Sequence, residues 1–284
     1  MREFLKRLGV VGAAVLFATA AACGGGEDAE EVDGGDGEEA APAVHPDSAA
    51  TISGVVNFEG TPPAAEPIDM SEEPACAEKY SEPPTREAVV ANDGRLANVY
   101  VYVKEGLPDR EWPTASESVT LDQDGCHYIP HVTAIQVGQP LDIVNSDGIL
   151  HNINTQPTVN RGFNISQPVE MTTTRDFSAA EVMIPVKCDV HGWMEAYIGV
   201  QEHPYAVVSG DDGSFTIENL PAGTYTVEAW HELYGTQTTT VTVAAQETGE
   251  ATFTYSADMA GRPVPLGEPI DLHDHGDTRV ASAH

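Results

Sequence analysis

Basic residues are scarce in this chain. Thirteen lysines and arginines stand against 45 aspartates and glutamates, a formal net charge of −32. A surface this negative repels phosphate backbones, so nucleic acid is excluded as a partner. A cationic protein, such as a basic cytochrome, is what such a charge would attract; adaptation to a saline habitat produces the same acidity. Helical periodicity is also scarce, which argues against helix bundles and doubly wound folds. Past the first 22 residues no segment is apolar enough to span a bilayer. No internal repeat is present.

The N-terminus carries a short basic stretch (Lys6, Arg7) and an alanine-rich apolar run from Leu8 to Ala22, too short to cross a membrane comfortably. Residues 1–22 therefore read as a secretory leader. The run ends Ala20-Ala-Ala-Cys23-Gly, similar to the bacterial lipoprotein signal, which would make Cys23 a lipid attachment site; cleavage after Ala-x-Ala to give a free periplasmic protein is the alternative. Residues 23–50 follow as a tether. Glu27 to Glu39 contains eight acidic residues and no basic one, a self-repelling run with nothing to bury. The expected location is the periplasm or cell surface, with membrane association through a lipid anchor.

The remainder alternates apolar and polar residues in short runs punctuated by Gly, Pro, Asn and Asp. Candidate strands lie at 51–58, 97–103, 119–121, 128–137, 141–145, 151–153, 182–188, 194–201, 205–209, 214–218, 224–230, 238–243 and 251–255. This pattern predicts an all-β chain of sandwiches or barrels, with a boundary near Glu202-His203-Pro204. The expected division is 51–202, 203–257 and a polar tail at 258–284.

Four cysteines are present. With Cys23 at the leader and Cys188 in the motif below, Cys76 and Cys126 are the economical disulfide pair for an exported protein. Such a bridge would pin the Pro- and Glu-rich excursion 61–86 against the sheet. The other use of Cys126 is a second metal site with His127 and His131.

The chemistry concentrates in Cys188-Asp-Val-His191-Gly-Trp-Met194. A thiolate, an imidazole and a thioether follow one another, each separated by two residues. Upstream, Ile149-Leu-His151-Asn-Ile places a further histidine in an apolar strand. Two histidines, one cysteine and a weak axial methionine are the ligand set of a blue-copper site. Period-two counting puts Val182, Ile184, Val186 and Cys188 on one inward face, and Met194, Ala196, Ile198 and Val200 on another. Asn152 is placed to brace the ligand loop. Gly192 and Trp193 would rim His191, leaving its edge partly exposed as the route for electrons. Methionine is a poor zinc ligand, which favours copper. On this reading the protein is a one-electron carrier, not an enzyme. Copper capture or delivery, and a structural or carbohydrate-binding envelope role, are the alternatives.

These residues resemble the plastocyanin-type cupredoxins. Tyr128-Ile-Pro130, Val137-Gly138 and Asn145 to Ile153 are similar to that family's approach to its first histidine, and the short Cys-x2-His-x2-Met loop is most similar to amicyanin. The resemblance implies a Greek-key sandwich holding one type 1 copper through His151, Cys188, His191 and Met194. Asp189 departs from the small residue frequent after the cysteine; a carboxylate beside the copper would favour Cu(II).

Further on, Gly213-Ser-Phe-Thr-Ile and Pro221-Ala-Gly-Thr-Tyr resemble the carboxypeptidase regulatory-like, or transthyretin-like, domains. This implies a second, smaller and non-catalytic β-sandwich. His231-Glu232 at its strand end reads as a surface turn pair, with a weak metal role as the alternative. Asp271, His273 and His275 lie in a tail that reads as a disordered polar end, with loose metal binding as the alternative.

Overall fold

A computed structural model describes residues 46–261. The leader, Cys23, most of the tether and all but the first residues of the tail, with Asp271, His273 and His275, lie outside the described residues. The strands are β1 (Ala50–Glu59), β2 (Ala91–Asn92), β3 (Arg95–Leu96), β4 (Tyr100–Glu105), β5 (Val119–Asp124), β6 (His127–Ile129), β7 (Val132–Gln136), β8 (Leu141–Asn145), β9 (His151–Thr155), β10 (Asn164–Gln167), β11 (Met171–Arg175), β12 (Glu181–Lys187), β13 (Glu195–Gln201), β14 (Ala206–Val208), β15 (Ser214–Leu220), β16 (Gly223–His231), β17 (Gly235–Val243) and β18 (Thr248–Ser256). The one α-helix among the described residues, α1 (Pro74–Ala77), is a single turn. No described helix is long and apolar enough to cross a membrane. The chain is all-β, as the alternation predicts.

Four sheets form two sandwiches. In the first, the order β10-β9-β12-β13-β7 faces β11-β8-β5-β6. Their inward residues, among them Leu121, Ile143, Ile153, Ile184, Val186 and Ile198, make one buried cluster that also contains Cys188 and Met194. In the second, β15-β1-β3-β2 with β18 beside β1 faces β14-β4-β16-β17. Its core includes Ile52, Val56, Val101, Tyr225, Val227 and Phe253.

The division of the chain differs from the sequence expectation. β1 lies between β15 and β18, antiparallel to the first and parallel to the second. β4 lies between β14 and β16. Residues 50–59 and 91–105, expected in the first domain, therefore complete the second sandwich, which is as large as the first and not an appendix to it. Alternation in β1 and β4 reveals a buried face without naming the sheet that covers it. β4 in fact buries both faces. Val99, Val101 and Val103 point into the second core, while Tyr100 and Tyr102 point out to meet Val132 and Met183 of the first sandwich.

That contact locks the two sandwiches together. Gly199 of β13 has no side chain because a Cβ there would come within 2.4 Å of the Tyr100 ring. Trp230 packs against Tyr197, their rings 5.2 Å apart. Beside them, His131 Nε2 lies 2.5 Å from Glu232 Oε1, a largely buried pair joining one sandwich to the other. Burial opposes a charge on His131, but the Glu232 carboxylate, with Glu87 behind it, raises its pKa on balance. His231 is a core residue and not part of a surface turn. It is 1% exposed, and its ring stacks on Tyr234.

Two local readings also change. The expected strand 128–137 is two strands. β6 pairs with β5 in one sheet and β7 with β13 in the other, with Pro130, which has no N–H to give a ladder, in between. In β12 the alternation holds from Ile184 to Cys188 but breaks before it. At an irregularity between Glu181 and Ile184, with Met183 at φ +64°, Val182 is left 40% exposed and Met183 packs against Tyr100 and Tyr102 of the second sandwich, outside the first core. β10 and β11, edge strands of polar composition, show no alternation and were not expected.

His231 gives the second sandwich an acid-sensitive core. Unfolded, its imidazole protonates at its ordinary pKa of 6.5; folded, burial and the neighbouring His131 hold it neutral down to about 3. The unfolded chain thus binds the extra proton between these values, and stability falls as pH drops below about 6.5. Denaturant midpoints across this window should decline, and His231→Phe should flatten the decline. An unchanged slope in the variant would contradict the assignment.

Candidate metal centre

Three side chains converge at one end of the first sandwich. β9 opens with His151; β12 runs into Cys188; the loop before β13 carries His191. One nitrogen from each histidine and the cysteine sulfur all lie within 4.8 Å of one another, and all three residues are buried. His151 Nδ1 is 2.9 Å from His191 Nδ1. Cys188 Sγ is 3.8 Å from His191 Nδ1. Around a tetrahedral ion bound at about 2.0–2.3 Å, ligand atoms stand roughly 3.3–3.6 Å apart; the two distances bracket that spacing, and shifts of about half an ångström would let the three atoms share one ion. The loop is closed by its own backbone: Met194 N–H donates to His191 O, and Cys188 N–H to Met194 O. Met194 is buried beside Cys188 in the same apolar cluster.

The surroundings prepare the cysteine and orient the histidine. Burial alone would push the Cys188 thiol up, but His151 and His191, with the amide contacts from Asn152 and His191, bring its pKa down to about 6. The thiolate that a metal requires is therefore favoured before any metal arrives. Cys188 Sγ lies 3.4 Å from Asn152 Oδ1, which also accepts the Asp189 N–H at 2.7 Å. Asp189 itself faces amides: Asn152, Asn154 and Asn164 donate to its carboxylate at 2.7–3.0 Å. These bonds lower its pKa and tie the ligand loop to β9 and β10. Gly192 is exposed and sterically unconstrained.

Asp147 is a site residue that sequence reasoning missed. Asn145 Oδ1 accepts the N–H groups of Asp147 and Gly148, making the turn that aims the Asp147 carboxylate inward. Its Oδ2 accepts from His151 Nε2 at 2.8 Å. That bond places the ring proton on Nε2 and leaves Nδ1 free to bind a metal. Gly125 N–H and Cys126 N–H donate to the same carboxylate at 2.7 Å each, and Lys79 Nζ lies 2.6 Å away. Gly125 must be glycine: its φ is +63°, and a Cβ would come within 2.3 Å of the Tyr80 hydroxyl. Burial works against the Asp147 charge, but these donors prevail and hold its carboxyl well below the usual range.

His191 is not exposed at its edge. It is 1% accessible. Trp193 lies against it, ring centres 5.1 Å apart, and donates its indole N–H to Cys126 O. Over Nε2 sits Cys76 Sγ, 3.7 Å away, with Glu73 Oε2 at 3.9 Å. Cys76 and Cys126 form a disulfide, sulfurs 1.99 Å apart. The excursion 61–86 is thereby folded over the histidine the sequence reading left partly open. Closing a loop of 50 residues contributes about 4 kcal/mol in a chain-entropy description. Cys126, His127 and His131 form no second site: Cys126 is in the disulfide, His127 contacts Tyr80 and Gly125, and His131 pairs with Glu232.

The family description of a carboxypeptidase regulatory-like domain matches residues 195–256. No curated protein matches the chain. Solved structures with partial likeness include an oxidised amicyanin variant, 18% identical with a TM-score of 0.27, covering 34% of this chain and 99% of that one. A Cu(I) amicyanin variant is 17% identical, with the same coverage and TM-score. A copper-containing nitrite reductase from Thermus scotoductus is 18% identical with a TM-score of 0.28, covering 41% of this chain and 27% of that one. At these scores the likenesses carry no weight in the assignment.

Asp147→Asn keeps the shape of the side chain and removes its charge. It should weaken metal binding by about 10–100-fold, measured by chelator competition. Unchanged affinity would show that Asp147 does not orient His151.

Proposed function

We propose that this protein is an exported, lipid-anchored carrier of single electrons built on one type 1 copper. The observation that supports the reading is the buried convergence of His151 Nδ1, His191 Nδ1 and Cys188 Sγ, with Met194 in the same apolar cluster. Copper would supply a one-electron change between Cu(I) and Cu(II), and thiolate with thioether suits the first while imidazole suits both. The chain's own contribution is rigidity. Asp147 orients His151, Asn152 and Asp189 anchor the ligand loop, and two closed backbone hydrogen bonds fix the turn between Cys188 and Met194. A site held this firmly changes little between oxidation states.

Burial favours a carrier over a delivery protein, since His151, Cys188 and His191 are all covered. With the His191 edge closed, the half-buried Trp193 ring packed against it at a tilt is the route by which an electron would reach the surface. The partner in this proposal is a cationic redox protein, drawn by the acidic surface. The second sandwich, packed on the outer face of β13, the strand that follows the ligand loop, serves as a brace.

Copper-loaded protein should be intensely coloured through thiolate-to-copper charge transfer, and Cys188→Ser should abolish the colour. Colour retained in that variant would refute Cys188 as a ligand. Met194→Gln should keep the colour and lower the reduction potential, read by voltammetry; an unchanged potential would remove Met194 from the axial position.

A further inference from the structure

The excursion 61–86 approaches both histidines on the side away from the ligand cluster, His191 directly and His151 through Asp147. On His191, Nδ1 faces Cys188 and His151, whereas Nε2 faces Cys76 Sγ and Glu73. On His151, Nδ1 faces the cluster, whereas Nε2 is held by Asp147, which Lys79 of the excursion grips in turn. Tyr80 adds a third anchor, its hydroxyl donating to Gly125 O at 2.7 Å. The resulting cover is nearly complete. Exposure is 0% at His151, 3% at Cys188 and 1% at His191. The lock is covered as well: Cys76 and Cys126 are both 0% exposed. The excursion thus lies over the outer edge of His191 and is fastened there by the Cys76–Cys126 disulfide.

We infer that the molecule matures in a fixed order: the ligands are filled while Cys76 and Cys126 are still thiols, and their disulfide forms last, as a lock over the occupied site. This rests on the metal reading proposed above. In the closing step the two thiols pass two electrons and two protons to an incoming protein disulfide. The S–S bond of that oxidant breaks as Cys76–Cys126 forms, and the oxidant leaves as a dithiol. The order also protects pairing. Cys76 and Cys188 approach opposite nitrogens of the same imidazole, so an unfilled, open site leaves three thiols of the folded part free to mispair. A ligated Cys188 is withdrawn from that exchange.

The test compares metal-free oxidised wild type with metal-free Cys76→Ala/Cys126→Ala. Two rates are read: uptake of Co2+ by its thiolate absorption, and alkylation of Cys188 by iodoacetamide, resolved by peptide mass. The closed form should be slower in both by about tenfold or more, because access needs local opening. Equal rates in the two proteins would overturn the proposal. If the double variant fails to fold, reductant-treated wild type replaces it, and labelling of Cys188 should slow again on reoxidation; labelling that stays fast after reoxidation would also overturn it. Should neither form bind the ion, the metal reading has failed, and with it the order of filling; the Cys188 labelling arm then decides the lock alone.

Discussion

One buried carboxylate ties the centre to its cover. Asp147 receives the His151 ring N–H, two backbone N–H groups from the turn at Gly125–Cys126, and the Lys79 ammonium. The four donors come from three parts of the chain: the ligand strand, the disulfide-bearing turn and the excursion. A carboxylate taken out of water is costly unless its lone pairs are met. Here four donors meet them, so the charge that would destabilise an empty pocket fixes three segments relative to one another. The orientation of His151, the position of Cys126 against Trp193 and the seating of Lys79 all follow from it.

The two sandwiches divide the work. The first carries the candidate ligands, at strand ends that its alternating core turns inward. The second supplies stiffness at the back of β13, through Tyr100 against Gly199, Trp230 against Tyr197 and the His131–Glu232 pair. Because β1 and β4 belong to the second sandwich, the chain enters it, leaves to build the first, and returns. This interleaving packs the strand that follows the ligand loop against the second sandwich, the kind of support the proposed carrier role calls for.

What could be read beforehand was whatever chain order and period two encode. Cys188, His191 and Met194 are neighbours in sequence, and the inward face from Ile184 to Cys188 follows from alternation alone. His151 was legible as a lone histidine in an apolar strand. Asp147 was not, because in Asn145-Ser-Asp-Gly an aspartate reads as an ordinary turn residue; only the fold shows that Asn145 aims its carboxylate inward. The cover over His191 was hidden for a related reason. Pairing Cys76 with Cys126 says where the excursion is fastened, not what lies beneath it. The break in alternation at Val182 sits beside a positive φ at Met183, which no apolar pattern announces. The partnership of β1 with β15 and β18 is a choice among sheets that a half-buried strand leaves open.

X-ray absorption at the copper edge of the loaded, full-length protein tests the central claim most directly, because it reports the atoms bound to the metal without relying on colour. The account predicts one short sulfur scatterer and two imidazole nitrogens around a single copper, with the sulfur contribution lost in Cys188→Ser. A shell of oxygen and nitrogen alone in the wild-type protein would contradict it.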